Sequence, residues 1–174
     1  MAVNRGKQFE QVIKDGFSDM PDVSIDRLRD PVGGQLGIRN ICDFIVYQYP
    51  NQFYIECKAI HGNTLNFVAH VSEYQWNGLL EKSKIPGAFA GIIVWYIDHD
   101  ITIFITIDEL EKLKMTGSKS LNINQVFDNY VVEETQILLI SGKKKRIFFE
   151  YNLRSLLLSL KVMKKEWWDK DGKE

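Results

Sequence analysis

Cys42-Asp-Phe-Ile-Val-Tyr-Gln-Tyr-Pro-Asn-Gln-Phe-Tyr-Ile-Glu-Cys-Lys58 reads as two strands around a turn. Asp43 to Tyr47 and Phe53 to Ala59 are rich in β-branched and aromatic residues, and Tyr49-Pro50-Asn51 between them carries turn chemistry. Side chains on a strand alternate faces. Phe53, Ile55, Cys57 and Ala59 therefore share an apolar face, and Tyr54, Glu56 and Lys58 share the other. A hairpin centred between Tyr49 and Pro50 sets Asp43 opposite Glu56, and directly opposed side chains lie about 5 Å apart at Cβ. Two carboxylates that close repel unless a cation joins them. A hard divalent ion such as Mg²⁺ is held by one or two carboxylates together with waters and phosphate oxygens. Lys58, two residues past Glu56, points at the same spot. The plain alternative is an edge hairpin whose solvent face carries Asp, Glu and Lys for solubility.

The 174 residues suffice for one domain with a core, and 45% hydrophobic with 26% charged residues is an ordinary globular mixture. No apolar run approaches the length of a membrane span, and the N-terminus has no apolar signal region. The two cysteines fall on predicted strands and read as reduced core thiols. The expectation is a cytoplasmic protein without a membrane partner. A net charge of −1 is not the usual balance of a nucleic-acid-binding protein. The basic residues are concentrated, however. Lys143, Lys144, Lys145 and Arg146 form a run without acidic neighbours, and Arg27, Arg29 and Arg39 precede the hairpin.

Apolar Phe9, Val12, Ile13 and Phe17 predict a helix from Asn4, its N-cap, to Phe17, limited by Gly16 and Pro21. Glu10 on that helix either pairs with Lys14 one turn on or faces the acidic site. A strand within Asp22 to Arg29 leads into a glycine-rich excursion over residues 27–40, whose arginines suit phosphate contacts. His61 to Asn66 reads as a loop, and Ser72-Glu-Tyr-Gln75 as a capping box opening a helix. Ala88 to Ile97 is apolar enough for a central buried strand, followed by a strand from Ile101 to Ile107 and a short helix capped by Asp108. Leu121 to Tyr130 suggests a helical turn. Gln136 to Ile140 and Arg146 to Tyr151 read as strands around a glycine-lysine loop. Leu153 to Trp168 is an amphipathic helix, with a frayed tail over 169–174. Trp167 and Trp168 could pack on the domain or on a second subunit. His61, His70 and His99 lack paired metal-ligand spacing and read as loop or surface residues. The order of helix, strands, helix, strands, helix implies one α/β domain over residues 1–174, with helices covering a mixed sheet that contains the hairpin.

An Asp followed by Glu-x-Lys on the next strand resembles the signature of the PD-(D/E)xK nucleases, although Ile41-Cys42 stands where a Pro usually precedes the Asp. Within that superfamily the chain is similar to the RecU-type Holliday junction resolvases. The opening Asn4-Arg-Gly-Lys-Gln-Phe-Glu10 resembles that family's Asn-x-Gly-x-x-Phe-Glu start. Gln75 falls where the family has a Gln at the head of the next helix. Gly91-Ile-Ile-Val-Trp-Tyr96 and Arg146-Ile-Phe-Phe-Glu-Tyr151 resemble its later segments. The resemblance implies a restriction-endonuclease-like core and a metal-dependent endonuclease that acts as a homodimer on four-way DNA junctions. Asp43, Glu56 and Gln75 would hold Mg²⁺, with Mn²⁺ able to substitute, and Lys58 would stabilise the transition state. The family's ligand two residues before the Asp is commonly a Thr; Ile41 stands there and offers only its backbone carbonyl. The family's junction-penetrating stalk is shortened here to about residues 27–40. Two rival readings remain: a restriction- or repair-type nuclease acting on duplex DNA, and a non-catalytic nucleic-acid-binding module of the same fold.

Overall fold

In the computed structural model the described residues are 4–28, 39–128, 135–145 and 149–171, without the side chains of 125, 127, 128 and 164–171. Arg29, Arg146, most of the 27–40 excursion, the side chains of Trp167 and Trp168 and residues 172–174 lie outside them.

The first helix, α1 (Arg5–Ser18), begins as expected: the Asn4 side chain accepts from the Lys7 N–H. It runs past Gly16, where a Cβ would lie 2.9 Å from Leu153 of the C-terminal helix. The glycine is a place of close approach, not a stop. Short strand β1 (Ser24–Arg27) pairs antiparallel with β2 (Phe44–Gln48), which pairs antiparallel with β3 (Asn51–Ile60). The register Phe44 opposite Ile55 and Ile45 opposite Tyr54 is that of a hairpin centred between Tyr49 and Pro50. β5 (Ala88–Tyr96) runs parallel to β3, and β6 (Ile101–Thr106) and β8 (Ile137–Leu139) continue the sheet antiparallel. The order β1-β2-β3-β5-β6-β8 makes the sheet mixed and puts β3 inside it. The edge-hairpin alternative fails on that order: Glu56 is only 2% exposed.

Two apolar layers sandwich the sheet. On one face, Phe9, Ile13 and Phe17 of α1 and Leu153, Leu156, Leu157 and Leu160 of α6 (Leu153–Asp171) meet Phe53, Ile55 and Cys57. On the other, Trp76 and Leu79 of α3 (Glu73–Ser83) and Ile107 and Leu110 of α4 (Ile107–Met115) meet Tyr54, Ile60, Ile92 and Val94. The domain is thus α/β, a mixed sheet flanked by helices. β5 is buried at every residue, as its unbroken apolar run implies.

Several local expectations are corrected. Thr64–Asn66 is not loop but β4, paired with β7 (Ser120–Asn122), and Asn66 caps the one-turn helix α2 (Phe67–His70). The helical turn expected within Leu121 to Tyr130 does form, as α5 (Ile123–Asp128) after β7. Thr106, not Asp108, caps α4 by accepting from the Glu109 N–H. The glycine-lysine segment is itself a strand, β9 (Gly142–Lys144), which pairs with β10 (Phe149–Tyr151) while β8 joins the main sheet. The helix α6 continues to Asp171, into the predicted tail.

Candidate active site

Asp43 sits one residue before β2, and its backbone is held from both sides. Its N–H donates to Ile55 O at 3.1 Å, and its carbonyl accepts from the Leu28 N–H at 2.8 Å. Its side chain is held too: Oδ2 accepts from the Cys57 N–H at 2.8 Å. The carboxylate thereby satisfies a β3 amide beyond the end of the β2 ladder.

Glu56 lies in mid-β3 on the face toward α3. Lys58 Nζ stands 2.5 Å from Oε1, and the Gln75 side-chain amide donates to the same oxygen at 2.7 Å. Both donors converge on Oε1, and the buried Oε2 has no hydrogen-bond partner. Burial, then repulsion from Asp43, pushes the Glu56 carboxyl up to about 7, against the lowering pull of Lys58 and Gln75. Burial also raises Asp43, opposed chiefly by the Cys57 N–H and by Lys58. The two carboxyls can hydrogen-bond to each other only when they share a proton.

Gln75 has two tasks. Its Oε1 accepts from the Ser72 N–H and the Ser72 hydroxyl, each at 3.2 Å, while Ser72 Oγ accepts from the Gln75 N–H at 3.3 Å. That closes the predicted capping box at the head of α3. With its oxygen engaged there and its nitrogen on Glu56, Gln75 supports a carboxylate in this arrangement. It does not present a free oxygen.

Glu10 faces the site from α1 and pairs with Arg27 rather than Lys14. Burial and the Asp43 charge raise its pKa, and the Arg27 guanidinium lowers it. Sequence reading could not find this pair, because its members lie 17 residues apart on different elements. The Cys57 amide was equally out of reach, since a backbone group has no identity in a motif. Arg39 is exposed. Lys143 to Lys145 are exposed as well, but not without acidic partners: Lys144 pairs with Asp100, and Lys145 with Glu150 at 2.7 Å. Those acids come from a distant turn and from the partner strand. Cys42 and Cys57 are buried free thiols, and burial raises both, Cys42 to about 12.

Asp43 and Glu56 fit a hard divalent cation. They are neighbouring carboxylates, Glu56 buried with an unpartnered oxygen and Asp43 half-buried, and one or two carboxylates suffice when waters complete the shell. No cluster of three or more His, Cys, Asp or Glu suited to a metal occurs among the described residues. No described helix is long and apolar enough to cross a membrane.

No protein-family model matches this chain, and no curated protein sequence does. Among solved structures, a similar chain is that of Archaeoglobus fulgidus Hjc, a Holliday junction resolvase from an archaeal hyperthermophile. It is 15% identical, with a TM-score of 0.44 over 60% of this chain and 78% of that one.

Proposed function

We propose that this chain is a metal-dependent DNA endonuclease with a restriction-endonuclease-like core, which resolves four-way junctions as a homodimer. One observation carries the reading: a buried carboxylate, Glu56, lies beside a half-buried one, Asp43, on a central hairpin, with Lys58 on Glu56. Burying like charges is costly and has no structural return for a sheet that apolar residues would stabilise better. Carboxyls whose pKa burial and a neighbouring charge push upward are a mark of function.

Asp43 and Glu56 would hold Mg²⁺ or Mn²⁺. The ion's contribution is charge neutralisation at the phosphate and acidification of water. The rest is the chain's own. The Cys57 N–H fixes the Asp43 carboxylate, and Gln75 fixes Glu56. Lys58 Nζ, delivered by the same strand, donates to negative charge that builds on the phosphate in the transition state. Glu10 holds Arg27 beside the site, where the guanidinium can meet a phosphate oxygen. Arg39 and Lys143 are further candidate phosphate contacts, together with Arg29 and Arg146 outside the described residues. Two symmetric cuts across a junction need two active sites, which a two-fold dimer supplies.

The test is cleavage of a mobile four-way junction and of its matched linear duplex, each with Mg²⁺ and with EDTA. Paired symmetric nicks in the junction alone, lost in EDTA, are expected. Equal cutting of both substrates would keep the chemistry but move the substrate to duplex DNA. Binding of both without cutting would leave a non-catalytic module.

A further inference from the structure

Glycine is disfavoured in a helix interior relative to alanine, so Gly78 in the middle of α3 needs a reason. The reason is contact. A Cβ at Gly78 would lie 2.3 Å from Ile41 Cγ2 and 2.8 Å from Ile41 Cβ, well inside van der Waals distance. Ile41 packs onto the same core cluster as α3 and stands two residues before Asp43. The helix therefore touches both halves of the acidic pair, through Gln75 on Glu56 and through Gly78 on the segment that leads into Asp43.

We propose that Gly78 is a positioning residue, whose missing side chain lets Ile41 seat against α3 and so sets Asp43 opposite Glu56. This inference rests on the proposed function. The helix cannot give way to relieve a clash. Trp76 and Leu79 flank Gly78 and are buried, the Trp76 indole N–H donates to Glu111 at 2.6 Å, and Ser72 caps the first turn. Ile41 lies outside regular secondary structure and is the partner that must move. Its displacement is passed through Cys42 to Asp43, whose Oδ2 would be drawn from the Cys57 N–H.

The test combines Gly78→Ala, Ile41→Gly and the double variant. Two readouts apply: amide exchange of Cys57 by NMR in metal-free protein, and Mn²⁺ affinity by calorimetry. Gly78→Ala is expected to speed Cys57 exchange about tenfold and to weaken Mn²⁺ about tenfold. In the Ile41→Gly background, where both clashing atoms are gone, the same alanine fills the vacated space. There it is expected to slow Cys57 exchange and tighten Mn²⁺. That reversal of sign is something a merely structural glycine would not show. Wild-type behaviour of Gly78→Ala in both readouts would overturn the proposal. So would equal damage by alanine in both backgrounds. Should Gly78→Ala fail to fold, Ile41→Gly against the double variant carries the test, and no effect of the added alanine on Cys57 exchange there refutes it. Failure of the wild-type protein to bind Mn²⁺ would overturn the proposed function instead; the Cys57 amide, read without metal, then decides the role of Gly78 alone.

Discussion

Replacing Glu56 with glutamine should make the metal-free protein more stable at alkaline pH while removing its activity. The fold raises this carboxyl from 4.5 to about 7 through burial and the neighbouring Asp43. At roughly 1.4 kcal/mol per unit, the ionised side chain destabilises the fold on the order of 3 kcal/mol. The sign follows from proton linkage. Between 4.5 and about 7 the folded state holds more protons than the unfolded chain. Stability is therefore highest below that window, falls as pH rises through it, and levels off above it. Glutamine keeps an amide oxygen for the Lys58 and Gln75 donors but carries no charge, so its contribution does not change with pH. Only the smaller slope from Asp43, raised in the same sense, should remain. The assay is urea unfolding in EDTA at pH 5 and pH 8, followed by the fluorescence of the buried Trp76 and Trp95. The variant should gain on wild type between the two conditions by up to the stated amount. At pH 8, Mg²⁺ should stabilise the wild-type protein by mass action and the variant far less. A Glu56→Gln protein that is less stable than wild type at pH 8, by the same margin as at pH 5, would refute the reasoning. It would mean that the Lys58 and Gln75 contacts outweigh the burial of charge.

Three further outcomes are expected. Lys58→Ala should lower the cleavage rate about a hundredfold or more while leaving DNA binding in gel shift intact; loss of binding with an unchanged rate on bound DNA would assign the lysine to docking. Asp22 is held well below the usual carboxylate range by Arg154 and Gln48, so its stabilising effect is present above the unfolded value and lost as pH falls through the folded one. Asp22→Asn should therefore lower stability at pH 7, where the carboxylate's contribution is fully present, and flatten the acid limb of the stability curve near pH 3, read by thermal unfolding. Lys143→Ala should reduce the slope of log affinity for DNA against log salt by about 1. Lys144→Ala and Lys145→Ala should each reduce it less, since Asp100 and Glu150 already partner them; equal slopes for all three would count against ion-paired lysines being held back from phosphate.

The hairpin was legible because its determinants are local. Alternation fixed which face is apolar, and the turn at Tyr49-Pro50-Asn51 fixed the register, Phe44 opposite Ile55, which leaves Asp43 at the end of the ladder. The caps at Asn4 and Ser72 were legible for the same reason. What escaped is non-local or offers two nearly equal local choices. Thr106 and Asp108 are both good caps two residues apart, and only the burial of Ile107 settles the frame. β4 and β7 are three-residue strands, whose pairing partners lie more than fifty residues apart in sequence, too little pattern for a period of two to register. The lysine run looked free because Asp100 reaches it from another turn. Gly16 read as a limit of the first helix, whereas it and Gly78 both mark places where another segment comes close.

Gln75 closes the capping box and braces Glu56 with one side chain. A capping box accepts Glu as readily as Gln, so helix initiation alone leaves the choice between them open. The neighbour breaks the tie: glutamate at this position would turn a third negative charge on Glu56 and forfeit the amide donor. The onset of α3 and the orientation of the carboxylate are therefore a single mechanical event. Fraying of one helical turn would release the Glu56 carboxylate, and the pair would be lost or regained together.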